Sequence, residues 1–117
     1  MGVRLVKLAG IQLSCCEDKE RNIERAIKFT QVAIEKGAQI ICFQELFTTH
    51  WFPREMDKHH FSYAERMDGP TVTRMQTLAQ ENGVVLVCPI FEEGEGSFYN
   101  SAIVIDAVGK ILGSYRK

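Results

Sequence analysis

The chain has 117 residues, 45% of them hydrophobic and 25% charged, with 14 basic against 15 acidic side chains and a formal charge of −1. This is the composition of one globular domain, long enough to bury about two-thirds of its unfolded surface, and its near-neutral balance gives no electrostatic case for nucleic acid or an anionic membrane as partner. No apolar run approaches the roughly 18 residues of a spanning helix, the N-terminus lacks the apolar core and cleavage site of a signal peptide, and a cytoplasmic location is therefore expected.

Arg4 to Leu13, with Val6, Leu8, Ala9, Ile11 and Leu13, predicts a first strand entering the middle of a sheet. Asp18 can cap a helix running to about Lys36, whose Ile23, Ala26, Ile27, Thr30, Ala33 and Ile34 recur at three- and four-residue spacings and make one apolar stripe. Gly37 supplies the left-handed stop. Ile40 to Phe43 then reads as a second strand, covered on both faces as in a parallel sheet. These elements form one strand–helix–strand unit, for which a right-handed crossover is expected.

Glu45 stands at the C-terminal end of that second strand. Ligands and catalytic groups collect there in open α/β folds, so Glu45 is either a group for chemistry or a structural carboxylate paired with a nearby Lys or Arg. Periodicity fails between Leu46 and Gly69. The aromatic segment Thr48-Thr49-His50-Trp51-Phe52-Pro53 follows Glu45 directly. Trp51 and Phe52 read either as a wall of a substrate pocket or as packing that holds the loop to the body. His50, His59 and His60 lack metal-ligand spacing, and His59 and His60 are expected on the surface of a short helical stretch.

Gly69-Pro70-Thr71 opens a second helix with Pro at its first position, Val72, Met75, Leu78 and Ala79 form its stripe, and Asn82-Gly83 closes it. Val84 to Cys88 is an apolar strand extended through Phe91, Glu92 to Ser97 a polar turn, and Phe98 to Ile105 a returning strand. Asp106 to Lys110 makes a hairpin turn into a last strand from Ile111 to Tyr115. The result is a β-α-β-α-β-β-β order within residues 1–117, of α/β class. Its last strand reaches the terminus with no helix to cover it, so the chain is expected to be the N-terminal portion of a larger domain.

The four cysteines, Cys15, Cys16, Cys42 and Cys88, show no zinc-knuckle spacing. Cys42 and Cys88 fall within apolar runs and read as small buried hydrophobes. Cys15 and Cys16 follow the first strand, with no His near in sequence to activate either thiol. The turn after the first strand has no glycine to cradle phosphate, and no Gly-x-Ser-x-Gly elbow is present.

Four blocks carry a more specific signal: Phe43-Gln44-Glu45-Leu46-Phe47, Asp68-Gly69-Pro70-Thr71, Tyr99-Asn100-Ser101-Ala102 and Gly113-Ser114-Tyr115-Arg116-Lys117. In order and spacing they resemble consecutive blocks of the carbon–nitrogen hydrolase (nitrilase) superfamily, and within it the branch of N-carbamoylputrescine amidases and β-ureidopropionases, enzymes of which the former serve polyamine biosynthesis. The resemblance implies an α-β-β-α sandwich and a Glu–Lys–Cys triad, with no cofactor and no metal. Glu45 matches the family's general base and Lys117 its oxyanion-stabilising lysine. The nucleophilic cysteine lies downstream of the lysine in that family, so none of the four cysteines here matches it, and Tyr99 and Asn100 read as structural. A base of this kind is expected to have a raised proton affinity in an apolar pocket.

The implied activity is hydrolysis of a small linear amide, in first place an N-carbamoyl amine, by a homo-oligomer, with the 117-residue chain inactive by itself. An aliphatic amidase or nitrilase of the same superfamily, a truncated non-catalytic binding or oligomerisation module, and a flavodoxin-like small-molecule binder are the alternatives.

Overall fold

The computed structural model describes residues 2–117. Its order is β1 (Leu8–Ile11), α1 (Lys19–Glu35), β2 (Ile40–Phe43), two 3₁₀ turns (Phe52–Arg54 and Lys58–Tyr63), α2 (Pro70–Asn82), β3 (Val85–Gly94), β4 (Ser97–Ile105) and β5 (Ile111–Arg116). The strands form one sheet in the order β1-β2-β3-β4-β5. β1, β2 and β3 are parallel, and β3-β4-β5 is an antiparallel meander.

Local chemistry sets the helix limits where the sequence places them. The Asp18 side chain accepts from the Arg21 N–H at the start of α1, and Gly37 follows the helix at φ 88°. Pro70 opens α2, and Gly83 closes it in the left-handed conformation. Ile23 and Ala26 of α1 and Val72, Met75, Leu78 and Ala79 of α2 pack in one cluster with Ile41, Phe43, Leu86, Cys88, Ile90, Ile103 and Ile105 of the sheet. Both helices therefore cover the same face. The other face carries Ile40, Cys42, Val85, Val87, Pro89, Ala102, Val104 and Tyr115, all half-buried or exposed.

Four expectations change. β1 is shorter than the predicted Arg4–Leu13 and lies at the sheet edge rather than its middle, with Leu8 and Gly10 exposed. Beyond Ile11 the strand's partner is a side chain: the Gln44 amide donates to the Leu13 carbonyl at 2.7 Å and accepts from its N–H. β2 is covered on one face only, so Ile41 and Phe43 are buried while Cys42 is exposed, against the expectation of a buried thiol. The segment Glu92 to Ser97 is not all turn, because β3 continues to Gly94 and only Glu95-Gly96 makes the reversal.

Candidate active site

Strand direction brings the two ends of the site together. β2 runs with β3, β3 against β4 and β4 against β5, so β2 and β5 point the same way and finish at one edge of the sheet. Glu45 lies two residues beyond β2 and Lys117 immediately after β5. The Glu45 turn is held from behind: Leu46 takes φ 52°, its side chain and that of Phe47 are buried, and the Phe47 N–H donates to the Pro89 carbonyl of β3 at 3.3 Å.

Lys117 Nζ donates to Glu45 Oε1 at 2.8 Å, and the Asn100 amide of β4 donates to the same oxygen. The backbone N–H of Lys117 donates to the Asn100 carbonyl at 2.9 Å, which continues the β4–β5 pairing. A depression of about 200 Å³ lies over this group, lined by Glu45, Pro89, Asn100, Ser101, Ala102, Tyr115 and Lys117. Larger hollows lie elsewhere, one of about 600 Å³ beside Lys19, Glu65 and Arg74. The small depression is distinguished by convergent charged and amide groups rather than by size.

The Lys117 ammonium, with Asn100 second, holds the Glu45 carboxyl below the usual carboxylate range, and Glu45 in turn raises Lys117. This reverses the expected raised proton affinity. Glu45 is 38% exposed and accepts two hydrogen bonds in its charged form, so burial does not dominate. Both groups are charged at neutral pH.

Trp51 and Phe52 do not line this depression. Phe52 is buried, with ring centroids 4.9 Å from Phe91, 5.2 Å from His60 and 5.6 Å from Tyr63, whereas Trp51 is half exposed. His60 is buried rather than on the surface, while His59 is exposed and stands 2.8 Å from Asp57. The 3₁₀ turns also draw donor atoms of His50, Glu55 and His60 within 4.8 Å of one another, as they do those of Asp57, His59 and His60, groupings that linear spacing does not show. Glu55 is exposed, and its carboxylate is 3.9 Å from His60 Nε2, wider than the about 3.3 Å between ligand atoms of a tetrahedral zinc.

Among the described residues no cysteine lines the depression. Cys88 is fully buried and its thiol pushed strongly up by desolvation; burial also raises Cys15, whose Sγ donates to the Phe47 carbonyl at 3.2 Å.

The family model for carbon-nitrogen hydrolases matches residues 7–117. The chain belongs to the carbon–nitrogen hydrolase family. Among similar family members, an N-carbamoylputrescine amidase of Solanum lycopersicum is 43% identical over 115 residues, which is 97% of this chain and 38% of that protein. A citrullinase of Francisella tularensis is 33% identical over 113 residues, 96% of this chain and 40% of its own length. The crystal structure of a carbon-nitrogen hydrolase from Helicobacter pylori G27 superposes with a TM-score of 0.88 at 27% identity, over 96% of this chain and 39% of that one. The chain spans about two-fifths of the length of the curated relatives it matches.

Sequence reasoning singles out Glu45 and Lys117, and the fold of this family member places them in contact. Asn100, read as structural, joins them as a third member. It also leaves Glu92 unremarked in a turn. Glu92 shares the parity of Leu86, Cys88 and Ile90 along β3 and is almost completely buried. A charge at a core-facing parity is the signal that could have found it.

Proposed function

We propose that the chain supplies the base and the oxyanion-stabilising ammonium of a hydrolase that cleaves a non-peptide C–N bond of a small linear amide, in first place an N-carbamoyl amine. The observation that carries this reading is the 2.8 Å contact between Lys117 Nζ and Glu45 Oε1 beneath a depression at the C-terminal sheet edge, in a chain of the carbon–nitrogen hydrolase family. The similarity to N-carbamoylputrescine amidases supports the carbamoyl substrate.

Glu45, ionised at rest, accepts the proton of a cysteine thiol supplied by residues outside this chain. The thiolate adds to the carbamoyl carbon, and negative charge develops on its oxygen. The Lys117 ammonium stabilises that oxygen, a contribution of roughly 3–4 kcal/mol on the scale of an oxyanion-hole donor. The proton returns to the leaving nitrogen, ammonia departs, and water hydrolyses the thiocarbamate to the amine and CO2. Asn100 keeps Glu45 oriented throughout. Substrate filling the depression removes water from around Glu45 and raises its proton affinity toward what a base needs. Trp51 stands outside the depression with its ring half exposed and meets only the part of a substrate that extends beyond it, and Phe52 backs the loop that carries it. The reaction requires neither cofactor nor metal, and takes place in a cytoplasmic homo-oligomer. No described helix is long and apolar enough to cross a membrane.

The test is ammonia and CO2 release by the full-length protein from N-carbamoylputrescine, N-carbamoyl-β-alanine, an aliphatic amide and a nitrile, with the 117-residue chain as comparison. The proposal expects the carbamoyl amines to turn over with one CO2 per ammonia, and no release by the chain alone. Turnover of the plain amide or the nitrile only would make it an aliphatic amidase or nitrilase. Ammonia from none of the four would make it a binding module.

A further inference from the structure

The residue before Lys117 is held on the opposite face of the sheet by a second charged group. Arg116 Nε and Nη2 donate to the two carboxylate oxygens of Glu92 at 3.1 and 2.9 Å, a bidentate fork that only a guanidinium makes. Ser101 Oγ donates to Glu92 Oε1 at 2.7 Å. The guanidinium also lies 4.0 Å above the Tyr99 ring and reaches Glu95 Oε2 at 3.3 Å. Glu92 is 98% buried with both oxygens satisfied, and Gly94 leaves the space, since a Cβ there would stand 2.9 Å from Arg116 Nη2.

Register makes this group act on the site. Ile90, Ser101 and Arg116 are partners across β3, β4 and β5 and share the helix-covered face, together with Glu92 and Tyr99 two positions along. The neighbouring residues, Asn100 before Ser101 in β4 and Lys117 just after β5, point the other way and project toward Glu45. A strand end normally frays. Here Arg116, the last residue of β5, is fixed by a buried carboxylate, and the residue after it carries the ammonium.

We infer that Glu92 and Arg116 form a positioning clamp that holds the end of β5, and so aims the Lys117 ammonium at Glu45 from across the sheet. The inference rests on the reading of Glu45 and Lys117 as the functional pair. Neither clamp residue touches the depression's reacting position; each acts through the backbone of β5. Without the clamp, Lys117 keeps its charge but not its place.

The experiment follows the Glu45 carboxyl carbon through an NMR pH titration of the full-length protein, in the unsubstituted form and as Lys117→Ala, Glu92→Gln and Arg116→Lys. Lys117→Ala is expected to move the Glu45 midpoint upward, because the largest cause of its depression is gone. Glu92→Gln and Arg116→Lys are expected to move it at least half as far in the same direction, although Lys117 is still present. Arg116→Lys retains the charge at a site that is 30% exposed, and therefore keeps the fold and reports even where Glu92→Gln does not. Midpoints in the folded clamp variants that coincide with the unsubstituted chain, alongside a shifted Lys117→Ala, would overturn the clamp and leave the functional pair standing. A Lys117→Ala midpoint that does not move would instead remove the pair itself.

Discussion

Lys117 and Glu45 are 72 positions apart in sequence and 2.8 Å apart in space. Between them run two 3₁₀ turns, one α-helix and three strands. The contact depends on two strands of like direction finishing at one edge of the sheet, and thus on the whole meander. Each partner holds the other in its charged form.

The first prediction concerns acid stability. Glu45 and Glu92 are both held below the ordinary carboxyl value of 4.5 by their cationic partners. A carboxyl depressed in the folded state stabilises fully above its unfolded value, and that contribution is lost as pH falls through the folded value. The urea midpoint is expected to fall as pH drops below about 4.5, and the fall should be smaller in Glu92→Gln, which has no proton to take up at that position. An identical acid slope in the two proteins would show that Glu92 is not depressed.

Leu46 provides a test of backbone conformation. It is a buried non-glycine residue at φ 52°, where a side chain costs about 1 kcal/mol relative to glycine. Leu46→Ala removes the buried side chain and keeps the strained backbone, a loss of about 2–5 kcal/mol. Leu46→Gly removes those atoms and the Cβ too, and so relieves the strain. Denaturant unfolding should find the glycine variant more stable than the alanine variant by about 1 kcal/mol, the reverse of the usual order. The usual order would mean that residue 46 does not adopt the left-handed conformation.

Asn22 is a polar residue in the buried stripe of α1. Its Oδ1 accepts from the Cys16 N–H at 2.9 Å, and its Nδ2 donates to the carbonyls of Cys16 and Thr48 at 2.8 and 2.9 Å. It therefore ties the loop after β1 and the loop after Glu45 to the same helix. Asn22→Ala leaves those backbone groups unpaired, and a loss of about 2–3 kcal/mol is expected in thermal or urea unfolding. A loss below about 0.5 kcal/mol, the range of an unremarkable surface change, would mean that water replaces the amide.

Periodicity and punctuation made both helices and all five strands legible in the sequence, because their signals are local: Asp18 and Gly37 around α1, Pro70 and Gly83 around α2, apolar runs for the strands. What local signals could not give was neighbourhood. Cys42 sits in an apolar run yet is exposed, because nothing among the described residues packs on that face of β2. Glu92 and Asn100 owe their roles to cross-strand register, and His60 owes its burial to aromatic partners on the 3₁₀ turns, Phe52 and Tyr63. Of the site, Glu45 and Lys117 came from a motif, while Asn100 and the Glu92–Arg116 pair needed the fold.

The central claim, that Glu45 is the base of a hydrolytic pair with Lys117, is tested most directly by Glu45→Gln in the full-length protein. The amide keeps the shape and loses the proton acceptor, so kcat on N-carbamoylputrescine should fall by about 10²–10⁴ with the fold retained by circular dichroism. Turnover close to that of the unsubstituted protein would contradict the account and return Glu45 to a structural ion-pair role.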